Sequence, residues 1–273
     1  MATPTTNAAT RAMVWSRAVT WRAFGVLMAG ALIGALAILP YSLALGPPNL
    51  PPGAPPLPVL LAVSVLQTLL LSAVAAAIGL WLGPRVGLGP GLLGAWLSGD
   101  RTAMREYLHW LPLAAGLGVA SSVLVLLLDA AVFAPRLADL VATAGPANPP
   151  LWTGLLASLY GAIDEEIMLR LGLMTLLVWL LTRITRAEQP TTAHAWTANV
   201  LTAIIFGLGH VPATAALVPL APLVVARAIV LNGLGGLVFG WLYWRRGIVV
   251  SMTSHLCADL VLHVIAPALI SKT

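Results

Sequence analysis

The chain has 273 residues, of which 59% are apolar and only 8% charged, and its mean hydropathy is +0.94. Soluble proteins carry about 25% charged residues, so this chain could not cover a water-facing surface and must lie largely in lipid. The composition excludes a soluble enzyme, a secreted disulfide scaffold and a nucleic-acid module. The net charge of +5 does not point to nucleic acid, because the 14 Lys and Arg residues stand in small groups between apolar stretches.

Seven apolar stretches are long enough to cross a bilayer, which takes about 20 helical residues. The fourth is unusually long for one upright span, so we expect it to tilt, kink or split after Gly161 into a short helix and a full one. The sequence thus predicts an all-α, polytopic transmembrane bundle of seven to eight helices that forms one membrane domain over residues 1–273. The stretches lie near residues 24–45, 59–82, 111–134, 151–182, 195–211, 222–244 and 248–269.

Arginines mark alternate ends of these stretches, while the other connections are nearly uncharged. The positive-inside rule then places the N-terminus in the cytoplasm and the C-terminus outside. The arginines before the first stretch and after the second, fourth and sixth are Arg11, Arg17, Arg22, Arg85, Arg101, Arg105, Arg183, Arg186, Arg245 and Arg246.

The first stretch follows a basic leader, as a signal peptide does. Its apolar run continues to Leu45, which is longer than an ordinary signal-peptide core, so we expect a retained span. Lys272 is the only lysine in a chain rich in Ala, Gly, Pro and Arg, a composition typical of a GC-rich bacterial genome. The expected location is the bacterial cytoplasmic membrane.

Ionisable side chains interrupt the fourth stretch at Asp164, Glu165, Glu166 and Arg170. One charge at a helix centre costs about 2.5 to 3.5 kcal/mol to insert, so four unpaired charges would cost about 10 kcal/mol. These groups must therefore face the bundle interior, pair or titrate. Glu166 and Arg170 have the i, i+4 spacing and the order of a stabilising ion pair. Glu165 is rotated by about 100° from Glu166 and is free to face another helix.

Two later stretches each carry a pair of residues at the same spacing, Phe206 with His210 and His255 with Asp259. Side chains at i and i+4 share one face of a helix. Two carboxylates and two imidazoles, counting Glu165, could therefore converge from three helices.

This set of groups has the parts needed for hydrolysis. A carboxylate in a partly dry site can take a proton from water, an imidazole can act as base or acid, and further donors can stabilise an oxyanion. The same groups could instead bind a divalent metal such as zinc, and the sequence does not choose between the two. If Glu165, His210, His255 and Asp259 all bound metal, Glu166 would remain as the base.

The motifs EExxxR, FxxxH and HxxxD follow one another on successive membrane stretches, at residues 165–170, 206–210 and 255–259. Together they resemble the CPBP family of intramembrane proteases, the CaaX protease and bacteriocin-processing family, also called Abi. Residues 235–247 are similar to that family's usual lead-in to the last motif. The resemblance covers about residues 150–265, which would form the catalytic core. It implies a helical membrane hydrolase that cuts peptide bonds within or near the bilayer.

The resemblance also implies roles for individual residues. Glu165 and His210 would activate the water, and His255 and Asp259 would hold the oxyanion or position the nucleophile. The remaining members of the expected site are the second acid of the first motif and two supporting residues, namely Glu166, Arg170 and Phe206.

Asp259 departs from the family pattern, which often has Asn at this position. An ionised carboxylate repels an oxyanion, so Asp259 must be protonated, accept a hydrogen bond from His255 or ligate a metal. Asp129 lies towards the outer end of its stretch, where we expect it to reach the interface, and we expect Arg227 to be an interfacial arginine or to make a helix–helix hydrogen bond. His263 follows Asp259 by one turn but lies near the outer end, so it is set apart from the site.

The expected partners are a membrane-associated protein or peptide substrate and the lipid bilayer, without nucleic acid. No cofactor is required by the sequence, and a zinc ion held by the two acids and two imidazoles is the alternative. A catalytically silent scaffold or immunity-type partner protein with the same fold is the competing function. A proton-coupled transporter would also place acids and histidines in a bundle, but the sequence shows no internal repeat of the transporter kind.

Overall fold

The computed structural model describes residues 15–45, 53–142 and 149–270, so Arg11 and Lys272 lie outside the described residues. Helices make up nearly all of this part of the chain, and it contains no strand. The helices are α1 (Arg17–Ala44), α2 (Leu57–Val86), α3 (Leu92–Leu97), α4 (Thr102–Ala138), α5 (Leu151–Ile184), α6 (Thr192–Ala215), α7 (Pro222–Arg246) and α8 (Ile248–Ile270).

Within the described residues, seven helices are long and apolar enough to cross a membrane, and only the short α3 is not. This confirms the predicted all-α bundle and its seven stretches. The largest shift in a boundary is at α4, which begins at Thr102 rather than near residue 111. Its first turn is polar and is held by Asp100, whose Oδ1 accepts a hydrogen bond of 2.8 Å from the Thr102 N–H.

The fourth stretch does not split after Gly161. It forms one helix of 34 residues, and a π-helical segment of 14 residues, Gly161–Met174, occupies its middle. A π-helix closes its hydrogen bonds from i to i+5 and is frequently found at functional sites. The segment carries all four ionisable residues that interrupt this stretch, so they are arranged on a wider helix than the sequence led us to expect.

The core of the bundle surrounds this π-helical segment. Ile167, Leu171 and Met174 are fully buried there against α1, α2 and α8. Small residues let the neighbouring helices approach. A Cβ on Gly172 would lie 2.5 Å from the Cβ of Ala75 on α2, and close backbone approach through such residues is how helices pack in membranes.

A tight turn between α7 and α8 sets up the last part of the bundle. Gly247 has a φ of 86°, and a Cβ there would lie 2.9 Å from the Cα of Gly91, so the turn requires glycine. Because the turn is so short, α7 and α8 run antiparallel in contact. This arrangement brings Phe239 of α7 against His255 of α8.

Candidate active site

Glu165 lies at the meeting point of the two imidazoles that the sequence singles out. Its Oε1 is 4.0 Å from His210 Nε2, and its Oε2 is 3.6 Å from His255 Nε2. Asp259 Oδ1 is also 3.6 Å from His255 Nε2. The structure thus brings these side chains together from α5, α6 and α8, as their spacing suggests.

His255 is held in a fixed orientation. Its Nδ1 lies 2.8 Å from Glu166 Oε1, and because a carboxylate only accepts, Nδ1 carries the hydrogen. The imidazole also stacks on Phe239, with ring centroids 4.3 Å apart and planes at 18°. The side chain is only 3% exposed. Its Nε2 is therefore the atom that faces Glu165 and Asp259.

His210 is held in a similar way but lies nearer the surface of the bundle. It occupies the end of the first part of α6, where Pro212 follows and cannot continue the hydrogen-bond ladder. Its Nδ1–H donates to the carbonyl oxygen of Phe206 over 2.9 Å. In the neutral ring Nε2 then has a free lone pair, directed at Glu165. The side chain is 35% exposed, so this edge of the site is open.

A buried ion pair lies next to His255 and supports the site. Arg170 Nη1 lies 3.1 Å from Glu166 Oε1, and both side chains are fully buried. This is the pair that the i, i+4 spacing indicates. Arg170 Nη2 also donates to the carbonyl oxygen of Gly236 over 3.2 Å, and Ser251 Oγ donates to Glu166 Oε2. The Glu166 carboxylate is thus turned towards His255, Arg170 and Ser251, away from the open edge.

Phe206 packs against the two imidazoles and against the buried Arg170. Its ring meets His210 edge-on at 4.8 Å and His255 at 5.7 Å, between ring centroids. The Arg170 guanidinium lies over its face, 4.8 Å from the centroid, which is a favourable cation–π geometry. Phe206 therefore contacts both imidazoles and the Arg170 guanidinium, and it helps to fix the position of the two rings.

Asp164 does not join this cluster. It is fully buried on the side of α5 that packs against α1 and α2. Its Oδ1 accepts a hydrogen bond of 3.2 Å from Ser72 of α2, and its Oδ2 lies directly against Gly34 of α1. Four neighbouring ionisable residues of one segment thus serve different sides of the same helix.

Sequence analysis missed three contributors to the site, Ser251, Phe239 and His263. His263 Nε2 lies 4.0 Å from Asp259 Oδ1, although we expected it to stand apart at the outer end of its stretch. A signal was present, because Ser251 and His263 extend the four-residue spacing of His255 and Asp259 in both directions. Phe239 belongs to the lead-in stretch 235–247.

Asp129 and Arg227 lie away from this cluster and pair with each other. Arg227 Nε and Nη2 donate to the two oxygens of Asp129, each over 2.7 Å. The pair joins α4 to α7 across a π-helical turn, Asp129–Phe133. Both residues thus have a helix-packing role, through a mutual contact that the sequence did not reveal.

The donor groups do not form a recognisable metal centre. Across the described part of the chain, no group of three or more His, Cys, Asp and Glu side chains is arranged to hold a metal ion. The four candidate ligands lie close together, but they are turned towards one another and towards their supports. The zinc alternative stays a prediction, and no reaction step below depends on a metal.

Acids and imidazoles clustered between membrane-spanning helices are typical of a functional site. Residues 147–261 match a family model described as type II CAAX prenyl endopeptidase, Rce1-like. This match agrees with the resemblance of the three motifs to the CPBP/CAAX protease family, and it covers the part of the chain in which they lie. The matched segment contains all the predicted site residues. No curated protein and no solved structure matches the chain.

Proposed function

We propose that the protein is an intramembrane endopeptidase that cleaves a membrane-associated protein or peptide with water activated by Glu165 and His210. The observation that carries this proposal is the gap of 4.0 Å between Glu165 Oε1 and His210 Nε2. The gap is too long for a direct hydrogen bond, and it suits a water molecule bridging the two atoms. The gap lies at the open edge of the site, where a peptide can approach.

The orientation of His210 defines how this water is held. Because the imidazole donates Nδ1–H to Phe206, Nε2 accepts one hydrogen of the water and Glu165 Oε1 accepts the other. The lone pairs of the water oxygen then point towards the scissile carbonyl. As the oxygen attacks the carbonyl carbon, Glu165 takes the proton. A general base placed in this way contributes about 10² to 10⁴ in rate.

His255 is the group best placed to stabilise the tetrahedral intermediate. When it carries both protons, Nδ1–H is used by Glu166 and Nε2–H is available to the substrate oxygen. Asp259 Oδ1 lies 3.6 Å from His255 Nε2, beyond a direct hydrogen bond, so its charge favours the protonated imidazole and orients the ring while Nε2–H stays available to the substrate oxygen. The carbon–nitrogen bond then breaks, and the amine leaves with the proton held by Glu165. The products are an amine and a carboxylic acid, which releases its proton to solvent to become a carboxylate.

The family description names prenylated CAAX substrates. For this chain we propose the wider class of membrane-anchored peptides, including signal-like segments. The site lies among apolar spans, so a substrate with an apolar anchor can reach it from the bilayer.

Proteolysis is tested by N-terminal labelling proteomics on membranes from cells that carry the wild type, Glu165→Gln or Glu188→Gln at matched expression. Glu188 is exposed in the α5–α6 loop, so Glu188→Gln makes the same chemical change away from the site. We expect new peptide ends with the wild type and Glu188→Gln, and none with Glu165→Gln. The same ends in all three membranes would contradict the proposed base. No ends specific to the wild type would favour the silent scaffold or immunity-type partner.

Metal dependence is tested with the purified protein and a peptide found in that experiment. We expect cleavage to continue after treatment with a chelator and exhaustive dialysis. Loss of cleavage that zinc restores would show that the acids and imidazoles hold a metal ion.

A further inference from the structure

Helix α8 carries four polar residues at intervals of four along one side. Ser251 and His255 both contact Glu166, and Asp259 Oδ1 lies 3.6 Å from His255 Nε2. The fourth residue, His263, approaches the same oxygen from the other side, with Nε2 at 4.0 Å. The Asp259 carboxylate is thus placed between two imidazoles, only one of which belongs to the HxxxD motif.

Local backbone geometry brings His263 over Asp259. The helix widens into a π-helical turn at Val261–Ile265, and this turn changes the angular position of His263 relative to the preceding residues. Gly154 of α5 allows the backbone of this turn to come close, because a Cβ at residue 154 would lie 3.2 Å from the Cβ of His263 and against its carbonyl oxygen.

A third helix holds the imidazole of His263 in place. Tyr41 of α1 has its hydroxyl 3.4 Å from His263 Nδ1, and the two rings meet edge-on with centroids 5.5 Å apart. Tyr41, His263, Asp259 and His255 therefore form a continuous polar row from α1 into the centre of the site.

We propose that His263, held by Tyr41, is a positioning residue that fixes the carboxylate of Asp259 so that it can orient His255. The inference rests on the proposed function. Its chemical reason is that an ionised carboxylate has no hydrogen to donate and is fixed only by donors around it. His255 Nε2 lies 3.6 Å from Asp259 Oδ1 on one side and His263 Nε2 lies 4.0 Å from it on the other, so each imidazole can direct an N–H towards the carboxylate through its charge or a bridging water molecule. Without His263, the carboxylate is free to rotate, and His255 Nε2 loses its fixed direction.

The test compares four proteins, namely the wild type, His263→Gln, Asp259→Asn and the double variant. Each is assayed for kcat and KM with a membrane-anchored peptide and for its thermal unfolding midpoint in detergent. We expect His263→Gln to lower kcat by about tenfold with KM within about twofold, which corresponds to a coupling of ordinary size between neighbouring residues. With Asn at position 259 the His263→Gln change should alter kcat by less than about twofold, since the carboxylate that it fixes is gone.

Two further variants complete the comparison. Tyr41→Phe removes the hydroxyl that holds His263 and should lower kcat in the same direction by a smaller factor. His109→Gln changes an exposed histidine of α4 and should leave kcat unchanged. Equal losses on His263→Gln in both backgrounds, or no loss in either, would overturn the proposal.

The unfolding midpoints separate this inference from the proposed function. If the wild type cleaves no peptide, the proposed endopeptidase function fails. Shifts in the midpoint that do not add between positions 259 and 263 would still assign His263 to Asp259. Additive shifts would overturn that assignment.

Discussion

The charge of Arg170 would strongly destabilise the fold if it were unpaired, because the side chain lies fully buried between apolar helices. Glu166 is its ion-pair partner at 3.1 Å. Removing one member of a buried pair strands the other and costs about 3 to 5 kcal/mol. We therefore expect Arg170→Met to lower the stability by that amount, measured as equilibrium unfolding in detergent. Arg183→Met, at an exposed position of α5, is the matched control and should have little effect.

Adding Glu166→Gln to Arg170→Met tests the physical reason for this loss. The double variant buries no uncompensated charge, so its stability should be higher than the sum of the two single losses implies. Strictly additive losses would mean that the two side chains contribute separately to packing.

Gly161 provides a second prediction at the residue scale, because it faces the reacting groups. A Cβ at this position would lie 3.2 Å from His255 Nε2 and would overlap Asp259 Oδ2. We expect Gly161→Ala to displace the Asp259 carboxylate and reduce kcat of the purified protein by at least about tenfold. Gly116→Ala of α4 meets no atom within 4 Å and should keep full activity. Unchanged kcat in Gly161→Ala would show that Asp259 is free to move without consequence.

The sequence predicts those site residues that are ionisable and stand at a regular helical spacing. Glu165, His210, His255 and Asp259 are conspicuous because each is ionisable within an apolar stretch. Phe239 was not conspicuous, since an aromatic residue in an apolar helix has no special signal. Phe239 stacks on His255 because the tight turn at Gly247 sets how α7 and α8 align.

At the scale of elements, the π-helical segments are the feature that the sequence did not predict. Hydrophobic periodicity assumes 3.6 residues per turn, and a buried helix that is apolar on every side has no periodicity to measure. The apolar lengths were enough to predict the spans, because each has to satisfy its own backbone within the bilayer. The turn at Val261–Ile265 packs against α4 and α5, and it brings His263 nearer to Asp259 than its place at the outer end of the stretch suggests.

The contact between α4 and α7 gives a prediction for whole elements. Asp129 and Arg227 form a bidentate pair, with Arg227 41% exposed, and bidentate geometry is the stronger form of a partly exposed ion pair. Arg227→Gln should lower stability by about 1 kcal/mol, as measured by thermal unfolding. The exchanged pair, Asp129→Arg with Arg227→Asp, should recover part of the loss. Arg136→Gln, exposed on α4, is the control, and an equal loss there would remove the special role of the pair.

At the scale of the whole molecule, the N-terminal helices pack against the segment that carries the motifs. The family match begins at residue 147, yet Tyr41 of α1 contacts His263 and Ser72 of α2 contacts Asp164. The sequence presents these helices only as apolar stretches, because small and apolar contacts between membrane helices leave little individual signature. Their part in the site depends on the packing of the complete bundle.

The orientation of the bundle decides from which side of the membrane the site is reached. By the positive-inside rule, the arginines after α5 predict that the α5–α6 loop lies in the cytoplasm and the α6–α7 loop outside. We expect a membrane-impermeant maleimide to label Ala216→Cys in intact cells and Glu188→Cys only after permeabilisation. Both variants are made with Cys257→Ser, which removes the only native cysteine. His210 ends the first part of α6 next to the α6–α7 loop. This labelling pattern would therefore show that the site is reached from the outer half of the bilayer. The reverse labelling pattern would show that the site is reached from the cytoplasmic side, and it would contradict the topology that the arginines predict.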